Sequence, residues 1–101
     1  MISAADIVRE MGCTQSEFER WLPGATRNAA IDSRQQGDQV EHRIATAGGM
    51  LTISSTQLPP RRIGLLRMPV LQVRFHFIDM DDAARAEFLH YFDLYTRRGG
   101  G

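Results

Sequence analysis

The first part of the chain has apolar residues at helical spacing and two sets of helix-capping residues. Ser3 can cap a first helix running to Met11, and Gly12 ends or bends it. Thr14 can cap a second helix, with Glu17 three residues later in the position that completes a capping box. A Pro-Gly pair follows and ends the second helix. The pattern therefore predicts two short N-terminal helices.

Across residues 28–78 the apolar period changes to two, which is typical of strands with one buried face. Gly48-Gly49 predicts a hairpin turn, since both glycines accept the positive φ that tight hairpins require. Pro59-Pro60 indicates a strand break or an edge strand, and Pro69 indicates a bulge or kink. The cleanest alternation covers residues 71–77, with apolar side chains on one face and polar ones on the other. We therefore predict three or four antiparallel strands.

A last helix is predicted to begin at Asp79 or Asp81 and to end at Gly99, with an apolar stripe on one side. The sequence thus predicts a single α+β domain over residues 1–101. N-terminal helices precede a three- to four-stranded antiparallel sheet, and the C-terminal helix packs on the same sheet face. The predicted core consists of the inward-facing apolar side chains Ile7, Phe18, Trp21, Leu22, Ile44, Leu51, Ile53, Leu71, Val73, Phe75, Phe77, Ala84, Phe88, Tyr91 and Phe92.

Composition and cysteine content narrow the class of protein. The chain has 101 residues and is 43% hydrophobic, which fits one globular domain and argues against disorder along its full length. Cys13 is the only cysteine, so no internal disulfide can form. There is neither a basic-then-apolar leader nor an apolar run of membrane-spanning length. We therefore expect a cytoplasmic protein with no membrane partner.

The charges are segregated along the chain, although they sum to zero. Residues 42–78 contain no Asp or Glu, whereas they contain five arginines. We predict one cationic surface there, with the compensating acids on the terminal helices. Its candidate binding residues are Arg61, Arg62, Arg67, Arg74 and His76.

Such a surface fits an acidic protein partner or a small anion. The same charges also suit a homodimer, in which the surface meets the acidic helices of a second copy. The plain alternative is an ordinary solvated sheet face. Nucleic acid is less favoured, because base stacking needs aromatic side chains among the cations, and Phe75 and Phe77 alternate to the opposite face.

Residues 6–22 resemble the helix-turn-helix of bacterial repressors. Gly12 takes the turn, Val8 and Phe18 take the inward positions, and Gln15-Ser16 lead the second helix. For a segment spanning 4–22, the resemblance implies a DNA-binding protein whose base-contacting residues lie at the start of that second helix. The residues that would contact DNA are Thr14, Gln15, Ser16 and Arg20. Against this stand two glutamates on the same helix, which the phosphate backbone repels.

A second resemblance involves the arginine block and the C-terminus. The segments Pro60-Arg61-Arg62-Ile63 and Leu66-Arg67-Met68-Pro69-Val70-Leu71, together with the ending 92–101, are similar to a family of small bacterial proteins of unassigned function. The resemblance implies a shared fold and carries no information on activity.

No residue set has the spacing of a catalytic or metal centre. Cys13 precedes a helix start, where a thiol pKa can be lowered, but no base with an orienting partner accompanies it. The acids at 79, 81 and 82 have the spacing of a helix start, so capping explains them better than a metal does. The three histidines lack the close pairing of a structural zinc site and are expected to be exposed or singly hydrogen-bonded; they are His42, His76 and His90. We expect a non-enzymatic protein without a cofactor.

Overall fold

The computed structural model describes residues 6–99 of the 101-residue chain. The elements are β1 (Ile7–Met11), α1 (Gln15–Ala25), β2 (Ala30–Gln36), β3 (Gln39–Thr46), β4 (Gly49–Ile63), β5 (Leu66–Phe77) and α2 (Asp82–Gly99). The strands form one antiparallel sheet in the order β1-β5-β4-β3-β2. The α+β class and the antiparallel sheet are confirmed, while five strands replace the predicted three or four.

The predicted first helix is wrong, because residues 7–11 form the edge strand β1. Ile7 lies opposite Phe75 and Met11 lies opposite Leu71 in the adjacent strand. Burial alternates along β1, with Ile7, Arg9 and Met11 partly buried. A helix capped at Ser3 and ending at Met11 is too short to be stable without a packed face, whereas the open edge of β5 offers both backbone partners and a core face. Ser3, the predicted cap, lies outside the described residues.

The second predicted helix is confirmed as α1. The Thr14 hydroxyl accepts the Glu17 N–H at 3.2 Å, and the Glu17 carboxylate accepts the Thr14 N–H at 2.9 Å. These two bonds form the capping box that the sequence indicates. The helix runs past Pro23 to Ala25, which is buried in the core. A proline in the last turn removes few hydrogen bonds, so the packing of Ala25 outweighs it.

The hairpin between β3 and β4 is where the sequence places it, but its turn is shifted by one residue. Thr46 pairs with Gly49, so Ala47 and Gly48 form the turn and Gly49 is the first residue of β4. Gly49 has a φ of 135°, and a Cβ there would lie 1.6 Å from the Asp79 carbonyl oxygen. The glycine is therefore required by the close approach of the segment that leads into α2, rather than by the turn.

One core cluster joins both helices to one face of the sheet. Nine of the fifteen predicted core residues are buried: Phe18, Leu22, Ile44, Leu51, Ile53, Leu71, Val73, Phe75 and Phe92. The other six are partly buried at its margin. Cys13, Ala25 and His42 are buried residues that the sequence pattern did not include.

The opposite sheet face carries no helix from the described part of the chain and is mainly polar. Between Ile7 and Gly99, neither helix has the length and apolar character needed to cross a bilayer.

Candidate functional site

The β4–β5 hairpin extends beyond its neighbouring strands. β3 pairs with β4 only as far as Thr56, and β1 pairs with β5 only from Leu71. Farther out, β4 and β5 pair with each other and with no other strand among residues 6–99. Residues 59–68 are all exposed. We call residues 59–69 the arm.

The base of the arm is anchored by one glutamine side chain. The Gln57 amide accepts the backbone N–H of Gln15 at 2.7 Å and donates to the carbonyls of Val70 at 3.0 Å and Cys13 at 3.4 Å. These bonds tie the start of α1 to both strands of the hairpin. The arm therefore projects from a fixed point of the domain.

Three prolines form the base of the arm, where it leaves the sheet. Leu58 lies opposite Val70 and Arg61 lies opposite Met68, so Pro59-Pro60 face the single residue Pro69 in a β-bulge. The sequence predicted a bulge or kink at Pro69; the extra residue lies in β4. Because proline has no N–H, these three residues donate no hydrogen bond at this level. The bulge also puts Leu58 and Arg61 on the same face, which unbroken alternation would not do.

Pairing along the arm decides what each face carries. Arg61 lies opposite Met68, Arg62 opposite Arg67, and Ile63 opposite Leu66. Opposed residues share a face, and successive pairs alternate between faces. One face therefore carries the Arg61/Met68 and Ile63/Leu66 pairs, and the other carries the Arg62/Arg67 pair.

Arg62 and Arg67 form a cationic pair without a counter-ion among residues 6–97. Both are exposed, and none of the ion pairs found in this range involves either of them. Like charges directly opposite each other on a sheet are destabilising. An anion bound between the two guanidinium groups would remove that repulsion.

Arg61 lies on the other face and already has a partner. Its guanidinium is 2.9 Å from the Glu10 carboxylate, and both side chains are largely exposed. An exposed pair of this kind is worth about 1 kcal/mol or less. Arg61 can therefore exchange Glu10 for an external anion at little cost.

Arg74 and His76 form a separate group around Asp6. Asp6 is 3.4 Å from Arg74 and 2.8 Å from the His76 Nδ1. The hydrogen bond from His76 is the largest of the interactions that lower the pKa of Asp6, followed by the one from Arg74. Arg74 lies seven residues along β5 from Arg67, about 23 Å at the usual strand rise. The acids beside Arg61 and Arg74 are Glu10 in β1 and Asp6 just before it, whereas the sequence pattern placed the compensating acids on terminal helices.

The predicted DNA-contacting residues surround the start of α1, and two of them are used inside the protein. Thr14 is the helix cap, and the Gln15 amide donates to Ser55 at 2.7 Å and to Glu19 at 3.0 Å. Ser16 and Arg20 are exposed. The segment has one helix preceded by a strand, so it lacks the first helix of a helix-turn-helix.

A buried polar network centres on His42, which the sequence pattern placed among exposed or singly bonded histidines. That expectation is wrong for His42, which is 0% exposed and has partners at both ring nitrogens. Nδ1 is 2.8 Å from the Ser33 hydroxyl, and Nε2 is 3.1 Å from the Ser55 hydroxyl. Ser55 also accepts the bond from Gln15. The alternation of Val40, His42 and Ile44 in the sequence could have indicated that His42 faces the core. Its partners Ser33 and Ser55 could not be predicted, because they reach His42 by pairing between strands.

A hydroxyl beside an imidazole is also the first half of a nucleophilic pair. Here the second ring nitrogen meets the hydroxyl of Ser55, which stabilises an imidazolium far less than a carboxylate does. Desolvation by burial lowers the pKa of His42, and the nearby charge of Glu19 offsets this in part. The network therefore favours a neutral, structural histidine.

This network predicts a specific dependence of stability on pH. The pKa of His42 lies below its ordinary value of 6.5 in the folded protein, so the unfolded chain binds the proton more readily. The free energy of unfolding should be constant with respect to His42 above about pH 7.5 and fall as the pH drops through 6.5. One proton limits the slope to about 1.4 kcal/mol per pH unit. Urea melts between about pH 7.5 and pH 5.5 measure it.

Two glutamine substitutions test the assignment. The His42→Gln variant should lose this part of the pH dependence, because it has no titrating group at the buried position. The His76→Gln variant should retain it, because the buried His42 is unchanged in that variant. Equal slopes for the two variants would contradict the role given to His42.

The other candidate chemistry is not assembled into a centre. Burial raises the pKa of Cys13 to about 11, with the nearby charge of Glu17 adding to the effect, so the thiol is a poor nucleophile at neutral pH. Between residues 6 and 97, no three His, Cys, Asp or Glu side chains lie together in a way that could hold a metal ion.

A pocket of about 220 Å³ lies between the end of α1, the β3–β4 turn and the first half of α2. Its lining includes several alanines and Phe88. At its rim, Arg27 lies 4.0 Å over the Tyr91 ring and 3.2 Å from the Glu87 carboxylate. Because Arg27 and Glu87 pair with each other, the rim offers no free charge to orient a ligand. We place the candidate site on the arm.

No family model, curated protein or solved structure matches the chain.

Proposed function

We propose that this protein is a non-enzymatic interaction module whose arm binds an acidic partner through Arg62 and Arg67. The observation that carries the proposal is the cross-strand pairing of these arginines on an exposed hairpin, without a counter-ion among residues 6–97.

The geometry suits carboxylate or phosphate oxygens. Cβ atoms of opposed residues on a sheet face are roughly 5 Å apart, so one anionic group can accept bonds from both guanidiniums. Arginine binds such groups in a bidentate way, and charge-assisted bonds are stronger than neutral ones. Binding also relieves the repulsion between the two cations. The expected result is faster association and an affinity that falls as salt rises.

The remaining predicted residues have unequal parts in the proposal. Arg61 is next to Arg62 along the strand, on the opposite face of the arm, and is held only by an exposed bond to Glu10. Arg74 and His76 already share the Asp6 carboxylate, so an external anion would have to displace it. We therefore assign the principal contacts to Arg62 and Arg67, with Arg61 as a supporting contact.

A titration with an oligoglutamate peptide tests the proposal. The wild-type protein should bind the peptide. The Arg62→Ala/Arg67→Ala variant should lose on the order of tenfold or more in affinity, because two charge-assisted contacts are lost. The matched control is Arg20→Ala/Arg34→Ala, which removes the same charge from exposed positions outside the arm. Its affinity should change by about twofold or less, since only long-range attraction is altered. NMR shifts measure both affinity and location.

Two other results would overturn the assignment to the arm, and a third would identify the partner. Equal losses in the two double variants would show that net charge matters and the arm does not. Binding to duplex DNA that depends on Ser16 and Arg20, and not on Arg62 and Arg67, would favour the DNA-binding alternative. Concentration-dependent dimerisation lost only in the Arg62→Ala/Arg67→Ala variant would identify a second copy as the acidic partner.

A further inference from the structure

Exposed apolar side chains are concentrated at the end of the arm. Leu65 is 104% exposed, Leu66 65%, Ile63 54% and Met68 42%. Gly64 and Leu65 form the two-residue turn at the end of the arm, and the φ of 61° at Gly64 permits this tight connection. Leaving this much apolar surface in water at one point is unfavourable, so it marks a contact surface.

Apolar and cationic residues are ordered by their distance from the domain. Leu65 forms the tip, the Ile63/Leu66 pair comes next, the Arg62/Arg67 pair follows, and Arg61/Met68 is nearest the prolines. At the usual strand rise, the tip lies about 7 Å beyond the Arg62/Arg67 level. Arg61 lies on the face opposite Arg62 and Arg67, so cations occur on both faces of the arm within two adjacent pairs.

This order matches the surface of an anionic bilayer. Membrane-surface segments bury their apolar residues about 5–10 Å into the boundary between headgroups and acyl chains. Arginines at that depth behind the tip would meet lipid phosphates, and anionic lipids attract them further. A groove on an acidic protein would contact the arm along its length, whereas the most exposed apolar side chains, Leu65 and Leu66, lie at its end. An apolar tip with arginines behind it therefore fits a planar interface better.

We propose that the arm docks on anionic phospholipid membranes, with Leu65, Leu66 and Ile63 entering the acyl boundary and Arg62 and Arg67 binding the headgroups. The proposal rests on the proposed function and names the acidic partner as a lipid surface. The expectation of no membrane partner came from the lack of a spanning apolar run. A docking hairpin needs no such run, since only its tip enters the bilayer. Because residues 42–78 contain no Asp or Glu, the arm has no negative charge of its own to repel the lipid, and the nearby Glu10 carboxylate is paired with Arg61.

Sedimentation with vesicles tests the proposal. The full-length protein should bind phosphatidylcholine vesicles containing about one-third phosphatidylserine and should not bind phosphatidylcholine alone. The Leu65→Ser/Leu66→Ser variant should lose on the order of tenfold or more in partitioning, because apolar burial is removed. The matched control is Ile78→Ser/Leu94→Ser, two exposed apolar positions outside the arm. It should bind like the wild type.

A tryptophan at the tip reports insertion directly. Trp21 is the chain's only tryptophan, so the Leu65→Trp variant in a Trp21→Phe background has a single emitter. Its emission should shift to shorter wavelength with anionic vesicles and should not shift with oligoglutamate. Vesicle binding without the shift in emission would contradict the proposal that the tip enters the bilayer. Unchanged vesicle binding by the Leu65→Ser/Leu66→Ser variant would contradict it as well.

The two proposals can fail separately. Arg62- and Arg67-dependent binding of oligoglutamate without binding of anionic vesicles would overturn the lipid proposal and leave the interaction module in place. Absence of binding to both probes would overturn both. The Leu65→Ser/Leu66→Ser variant should still bind oligoglutamate, which shows that its arm retains the arginine pair.

Discussion

Replacing Phe75 with alanine should lower the free energy of unfolding by about 3–5 kcal/mol. Phe75 is fully buried, and its ring packs edge-on against Phe92 at a centroid distance of 5.1 Å and against Phe88 at 6.4 Å. The Arg9 guanidinium lies 5.5 Å from the same ring. Truncation would leave a cavity between the sheet and α2 that neighbouring strands cannot close. Urea melts of wild type and variant measure the difference.

The adjacent residue supplies the control. Arg74 points to the opposite face and pairs with Asp6 at 3.4 Å, with about half of its side chain exposed. The Arg74→Ala variant should therefore lose about 0.5 kcal/mol or less. Comparable losses at both positions would contradict the face assignment of β5 and, with it, the placement of the core.

Replacing Gly49 with alanine should cost on the order of 3 kcal/mol or more. Its φ of 135° is a conformation that side-chain-bearing residues rarely adopt, and the added Cβ would lie 1.6 Å from the Asp79 carbonyl oxygen. Backbone strain of this kind costs about 1–3 kcal/mol, and overpacking adds a similar amount. The β3–β4 hairpin and the start of α2 would have to separate. Thermal and urea unfolding both report the loss.

Gly37 is the matched control, because it also has a positive φ but an open surrounding. Its φ is 64°, and a Cβ there would meet nothing within 4 Å. The Gly37→Ala variant should cost about 1–2 kcal/mol, the penalty for the left-handed conformation alone. A Gly49→Ala variant no less stable than the Gly37→Ala variant would show that the segment before α2 moves aside freely.

The stability losses expected above arise in the packed domain, whereas the arm extends beyond it. A two-stranded hairpin is marginally stable by itself in water, and this one has a bulge and three prolines at its base. Substitutions at Arg62, Arg67 or Leu65 should therefore leave global unfolding almost unchanged. A loss of binding in those variants can then be attributed to the contact surface, since the domain remains folded.

Local rules were sufficient where neighbours in the sequence supply the stabilising contacts. The capping box at Thr14 and Glu17 is complete within four residues, so α1 was predictable from its start. Strict alternation over residues 71–77 indicated which side chains of β5 are buried, because a period of two leaves only one amphipathic arrangement. The helix α2 follows from its acidic start and its apolar stripe.

Local rules failed where a partner distant in the sequence decides the conformation. Residues 7–11 carry a pattern that suits a short helix or a strand, and the open edge of β5, sixty or more residues away, selects the strand. His42 is buried and doubly bonded because pairing across strands brings Ser33 and Ser55 to its two ring nitrogens. Gly49 is required by a carbonyl thirty residues later.

At the candidate site too, some features follow from the local sequence and others from pairing between distant segments. By itself the sequence determined the acid-free arginine block, the prolines that interrupt its strands and the alternation that exposes Arg74, because these depend on residue type and order. Only the tertiary structure decided that β3 and β1 end before the arm, that the bulge brings Arg61 to the face of Met68, and that Arg62 lies opposite Arg67. The reason is physical: strand ends and register are set by pairing between distant segments, and pairing determines which charges become neighbours.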